Sequence, residues 1–100
     1  MNGIEYSAML RKHFPGSACM KGKHRFTFCS TEFELMPNFD ASPHMGHYLD
    51  GIRVTIDPEK MLVTQKMIDL SSTATTETVV PAIKKAMLEL SLDRLSARTQ

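Results

Sequence analysis

One hundred residues, 42% of them hydrophobic, are enough for one small core and too apolar for a disordered segment, so a single domain over residues 1–100 is expected. A formal net charge of +1 gives no whole-molecule field strong enough to draw the chain to nucleic acid or to a membrane. Two cysteines, Cys19 and Cys29, exclude a disulfide framework, no apolar run has the length of a membrane span, and the N-terminus lacks the basic-then-apolar pattern of a signal peptide, so a reduced, cytoplasmic location is expected.

The charge is unevenly spread. Residues 1–25 carry Arg11, Lys12, Lys21, Lys23 and Arg25 against Glu5, a net of +4. Residues 26–60 carry Glu32, Glu34, Asp40, Asp50, Asp57 and Glu59 against Arg53 and Lys60, a net of −4. Either a basic and an acidic edge result, or the two segments neutralise each other in the fold.

Asn2 followed by Glu5 is a capping-box pair and predicts a helix running to about His13. Tyr6, Met9, Leu10 and His13 share one face. Arg11, Lys12 and His13 suit the negative end of the helix dipole, and Pro15-Gly16 stops the element. Residues 16–23 read as a loop. From His24 the period becomes two, with Phe26 and Phe28 on the inner face of a strand. Phe33 and Leu35 fall on the other parity, so the chain must turn or bulge near Cys29-Ser30-Thr31.

Residues 36–46, with Pro37, Asn38, Asp40, Ser42, Pro43 and Gly46, read as the longest irregular stretch. Tyr48 to Leu70 reads as a hairpin, with Ile52, Val54 and Ile56 alternating in one strand and Asp57-Pro58-Glu59-Lys60 as the turn. Its return strand has Leu62, Ile68 and Leu70 on one face and Met61, Val63 and Met67 on the other. Apolar residues on both faces predict a central strand or one covered on both sides. Of the eight methionines, Met9, Met61, Met67 and Met87 are assigned to the core, and Met20, Met36 and Met45 to exposed loops.

The hydroxyl-rich run 71–78 precedes a helix starting between Thr76 and Thr78, which places Pro81 in or near its first turn. Val79, Val80, Ala82, Ile83, Ala86, Met87 and Leu90 form one face. Burying them gives on the order of 10 kcal/mol gross, comparable with the cost of ordering the helix, so this element is expected to be necessary for folding. Leu88, Leu92 and Leu95 fall on the opposite side. Either the helix bends at Ser91 and they join the core, or they meet a partner, a second copy included.

The constellations that could carry chemistry are weak. Cys19, Cys29, His44 and His47 are a zinc-like set, but the cysteines are ten residues apart and Pro43 and Gly46 keep the histidines off a helix. No nucleophile elbow, phosphate-cradling glycine loop or paired carboxylate motif is present. No catalytic residue, cofactor or metal is therefore assigned. The basic stretch with Arg11, Lys12, Lys21, Lys23 and Arg25, next to Phe26 and Phe28, is a candidate for nucleic-acid contact without matching a known motif.

These readings combine into an α+β two-layer domain: an N-terminal helix, a three- to four-stranded antiparallel sheet, and a C-terminal helix packed on the sheet. The expected function is a small non-catalytic protein-binding module. Phages and plasmids use such chains as inhibitors, anti-CRISPR proteins among them, and others serve as immunity or assembly factors. The candidate partner-binding residues are Leu88, Leu92 and Leu95, followed by Met36, Phe39 and Met45. A homodimer through the C-terminal helix is one form of this reading, and nucleic-acid binding through 11–25 is the alternative.

Overall fold

The computed structural model describes residues 1–18, 22–42, 46–59 and 64–98. Cys19, Met20, Lys21, Pro43, His44, Met45, Lys60, Met61, Leu62 and Val63, each of which carries an expectation above, lie outside the described residues. Helix α1 (Gly3–His13) is followed by strands β1 (Ser17–Ala18), β2 (His24–Phe28), β3 (Thr31–Ser42), β4 (Gly46–Ile56) and β5 (Thr64–Asp69), and then by helix α2 (Thr76–Arg98). The sheet is antiparallel throughout, in the order β1-β2-β3-β4-β5, so every strand pairs with its neighbour in sequence. It is a four-stranded meander with a two-residue strand added at one edge, and the expected α+β arrangement holds.

Helix α1 begins as the capping pair requires. The Asn2 side chain accepts from the Glu5 N–H at 2.8 Å, and the Asn2 N–H donates to the Glu5 carboxylate at 3.2 Å. Tyr6, Met9 and Leu10 are buried, and Phe14 closes the helix from inside the core. Helix α2 starts at Thr76, where the Thr75 carbonyl accepts from the Thr78 and Val79 N–H groups and the Thr78 hydroxyl accepts from the Thr75 N–H. Pro81 is the sixth helical residue and lies on the exposed side, so the backbone donor it lacks is missing where water reaches.

The phase slip between Phe28 and Phe33 is a hairpin. Phe28 pairs with Thr31, and the two loop residues Cys29 and Ser30 have φ of 51° and 64°, the left-handed pair a tight primed turn requires. Neither is glycine, so the turn is held against a steric cost by the strands it joins. A second irregularity explains why Leu49 and Ile52, of opposite parity, are both buried. Register shifts between Asn38 and Phe39, because Asn38 pairs with Gly51 while Phe39 pairs with Leu49, leaving Asp50 unpaired.

Strand alternation sorts the sheet into two faces. Phe26, Phe33, Leu35, Leu49, Ile52, Val54 and Ile56 share one, and join Tyr6, Met9, Phe14, Val79, Ile83, Met87 and Leu90 in a single core cluster. Both helices pack on this face and touch each other. The opposite face, bearing Arg25, Glu32, Glu34, Arg53 and Thr55, carries no helix.

Four expectations are corrected. Residues 36–42 are not a loop but the second half of β3, and Gly46 already belongs to β4. Their composition discourages a strand, but pairing with β4 overrides it. Pro37 is tolerated because β2 pairs no further along β3 than Leu35, which makes this stretch an edge. Residues 16–23 include β1, whose Ser17 pairs with Arg25. Strand β5 is an edge strand rather than a central one, and Met67 is 55% exposed on the uncovered face instead of sitting in the core. Phe28 shares the inner face with Phe26 but is 47% exposed, because it stands at the strand end.

Tyr6 is buried with no hydrogen-bond partner for its hydroxyl among the described residues, and burial pushes its pKa up. The folded state therefore keeps a proton that the unfolded state loses above about pH 10, and this residue's contribution to stability falls as pH rises past that point. Tyr6→Phe removes both the unpaired hydroxyl and the titration. It is expected to be at least as stable as the wild type at neutral pH and to lose less stability from pH 9 to 11, as measured by urea unfolding.

Candidate functional site

The outer face of α2 carries several exposed apolar side chains together, whereas Ile4 of α1 and Met67 of β5 are exposed elsewhere. Its inner residues Val79, Ile83, Ala86, Met87 and Leu90 are buried, whereas Leu88, Leu92 and Leu95 are 60%, 53% and 53% exposed. The helix runs on to Arg98, with Ser91 donating its hydroxyl to the Met87 carbonyl at 2.9 Å, and the three leucines do not fold back into the core. Residues three and four apart are neighbours on a helix surface, so Leu88, Leu92 and Leu95 form one strip.

That strip borders a groove. Between α2 and the β2–β3 turn lies a depression of about 240 Å³. Phe28, Phe33, Met87 and Leu88 form its apolar walls, Cys29 and Thr31 enter from the turn, and Lys84 is the one charged residue of the lining among the described residues. Phe28 thereby extends the leucine strip sideways onto the sheet. The turn stays at this distance from the helix because Arg94 reaches across to the Asp57 carboxylate and to the Thr31 hydroxyl at 3.3 Å. Asp57 itself has φ of 49° and donates its N–H to the Glu32 carbonyl at 2.9 Å, so it is held from both sides.

The flanks of α2 differ in charge. On the β5 side Lys66 pairs with Glu89 at 3.0 Å and lies 3.8 Å from Asp93, and the hydrogen bond to Glu89 holds the Lys66 pKa above its ordinary value. On the groove side, Lys84 makes no ion pair among the described residues.

The remaining candidate residues are dispersed. Phe39 is 37% exposed and meets Tyr6 edge-on, with ring centroids 5.9 Å apart, so it partly seals the sheet above α1. Met36 is half-buried and, two residues from Glu34 on the same strand, falls on the uncovered sheet face. The structure therefore does not join Met36 and Phe39 into one surface.

The basic stretch is divided in the same way. Arg11 and Lys12 are exposed at the end of α1. Arg25 lies among three carboxylates, with an ion pair to Glu59, Nη1 3.7 Å from Glu32 and Nε 3.6 Å from Glu34. Lys23 is 3.5 Å from the same Glu34, which is buried. On this face the basic and acidic segments neutralise each other. Phe26 is core, and Phe28 is on the opposite side of β2 from Arg25, so the aromatic and basic groups of this stretch do not form one surface. Arg11, Lys23 and His24 do line one cleft beside Tyr6 and Phe39, where the His24 Nε2–H donates to the Phe14 carbonyl at 2.6 Å.

Cys29 and His47 are exposed, and no group of three or more His, Cys, Asp or Glu converges among the described residues. Sequence reasoning missed the exposure of Phe28 and the place of both Phe28 and Lys84 in the lining of the groove. Nothing in the alternation of β2 marks the point where helix cover ends, and a lysine on a helix is ordinarily solvated.

Arg25→Glu would add a fourth carboxylate to a site already holding Glu32, Glu34 and Glu59. It is expected to destabilise the fold by about 1–3 kcal/mol in urea unfolding, against less than about 0.5 kcal/mol for Lys12→Glu. No protein-family model matches this chain, and no curated protein or solved structure is significantly similar to it.

Proposed function

We propose that the chain is a small non-catalytic module that acts by binding another protein, through the surface formed by Leu88, Leu92 and Leu95 of α2 with Phe28 at the groove. One observation carries this reading: four large apolar side chains, each about half exposed, lie on one surface beside an apolar groove. Single exposed hydrophobic residues are ordinary, whereas contiguous ones mark interaction surfaces. An inhibitor of the phage or plasmid type, or an immunity or assembly factor, would work in this way, by occupying a surface on its target.

Magnitudes bear on what the strip can hold. Covering the exposed halves of these four side chains would contribute on the order of 5 kcal/mol. Association itself costs a comparable amount or more. In a symmetric dimer the strips of both copies are covered and this gain doubles, so magnitudes do not separate a second copy from a foreign protein. We take a foreign protein as the occupant, and the oligomeric state tests that choice. Nucleic-acid binding is the weaker reading, because the carboxylates around Arg25 and Lys23 oppose phosphates.

The expected outcome is a wild type that is monomeric by light scattering, and a Leu92→Asp variant that is equally folded and monomeric. The wild type, used as bait, should retain a partner that Leu92→Asp loses. A wild-type dimer dissolved by Leu92→Asp would assign the strip to a second copy. Unfolding of Leu92→Asp, or retention of every bound partner by that variant, would remove the strip from the binding surface.

A further inference from the structure

We infer that the end of α2, residues 91–98, is a strap that opens apart from the rest of the fold, and that Arg94 is the latch holding it to the sheet.

Burial along α2 is uneven. Val79, Val80, Ile83, Ala86, Met87 and Leu90 are its buried apolar residues, and from Ser91 on no residue is buried among the described ones. The line of the helix that faces the sheet runs through Ile83, Met87, Leu90 and Arg94, at helical spacing throughout. At Arg94 that line passes from apolar to charged. Hydrophobic burial therefore fixes residues 79–90, and the strap beyond them gains nothing comparable.

Arg94 supplies what burial does not. Its guanidinium reaches the Asp57 carboxylate and donates to the Thr31 hydroxyl at 3.3 Å, with Nε shielded from water. Both acceptors belong to one end of the sheet, because Asp57 follows β4 and Thr31 opens β3. Asp57 is fixed independently of the helix: its N–H donates to the Glu32 carbonyl at 2.9 Å, and its side chain is 14% exposed. The sheet thus presents a preset acceptor, and a planar guanidinium can meet the carboxylate and the hydroxyl together. On the other flank Lys66 is closest to Glu89, at 3.0 Å, ahead of the strap, and lies 3.8 Å from Asp93 within it. Leu92 and Leu95 ride on the strap, whereas Leu88 stands on the part of the helix that the core holds.

The test is hydrogen exchange of the α2 amides under native conditions, read separately for residues 79–90 and 91–98. In the wild type the strap should exchange faster than 79–90 and slower than an unstructured chain. Arg94→Ala should speed exchange in 91–98 about tenfold, and Arg94→Lys should speed it less. Ile83→Val, a mild change in the core, should speed exchange in 79–90 and leave 91–98 as in the wild type, because Ile83 stays packed while the strap opens. Lys66→Ala should affect 91–98 less than Arg94→Ala does. Strap amides that speed up on Ile83→Val as much as 79–90 would show that α2 opens as a whole, and would overturn the inference. Strap amides indifferent to Arg94→Ala, or more sensitive to Lys66→Ala, would overturn it by removing the latch from Arg94. Arg94→Lys, the milder change, carries the same comparison if Arg94→Ala unfolds the chain.

Discussion

The structure depends on the burial of one face of α2 against the sheet. Val79, Ile83, Met87 and Leu90 enter the same cluster as Phe33, Val54 and Ile56, and without them the β3–β4 hairpin would expose its apolar face to water. An antiparallel meander of this size has one face for a core and needs a cover for it. The N-terminal helix supplies part of that cover, with Tyr6, Met9, Leu10 and Phe14. The same geometry has a consequence on the other side of α2. A helix that covers one sheet has a single buried face, so any apolar residue on its outer face stays in water. Leu88, Leu92 and Leu95 are exposed there, and that exposure is what supports the proposed partner-binding role.

The uncovered face of the sheet is managed differently. There the cross-strand neighbours are charged and opposed: Arg25 beside Glu34, and Lys23 over the same carboxylate. Opposite charges facing across strands stabilise pairing and keep the face wet. The chain thus separates two roles that a composition of nearly zero net charge obscures. Lys23 and Arg25 of the basic segment meet Glu32, Glu34 and Glu59 of the acidic one on this face, while Arg11 and Lys12 are exposed at the end of α1.

Much of this was legible in the sequence where the determining interactions are local. Asn2 and Glu5 lie within one turn of each other, and they set the start of α1. The change of parity between Phe28 and Phe33 located the Cys29-Ser30 turn, because a side-chain period of two cannot be interrupted without a bend. The two faces of α2 followed from its own spacing. What was not legible depends on distant partners. Pro37, Asn38 and Asp40 carry loop propensities, and only their pairing with β4 makes them strand. The exposure of Met67 follows from the edge position of β5, which periodicity does not reveal. Phe28 looked like core because alternation gives the face but not how far the cover extends, and Lys84 acquires interest only from the groove it borders.

The most direct test of this account compares the two faces of α2 at adjacent turns. Urea unfolding of Leu90→Ala and Leu92→Ala, measured side by side with the wild type, separates the residue that covers the sheet from the one left outside. A loss of about 2–5 kcal/mol for Leu90→Ala, with a change within about 0.5 kcal/mol for Leu92→Ala, is the predicted result. Similar losses at both positions would mean that the outer leucines belong to the fold, and would contradict the claim that the chain keeps them for a partner.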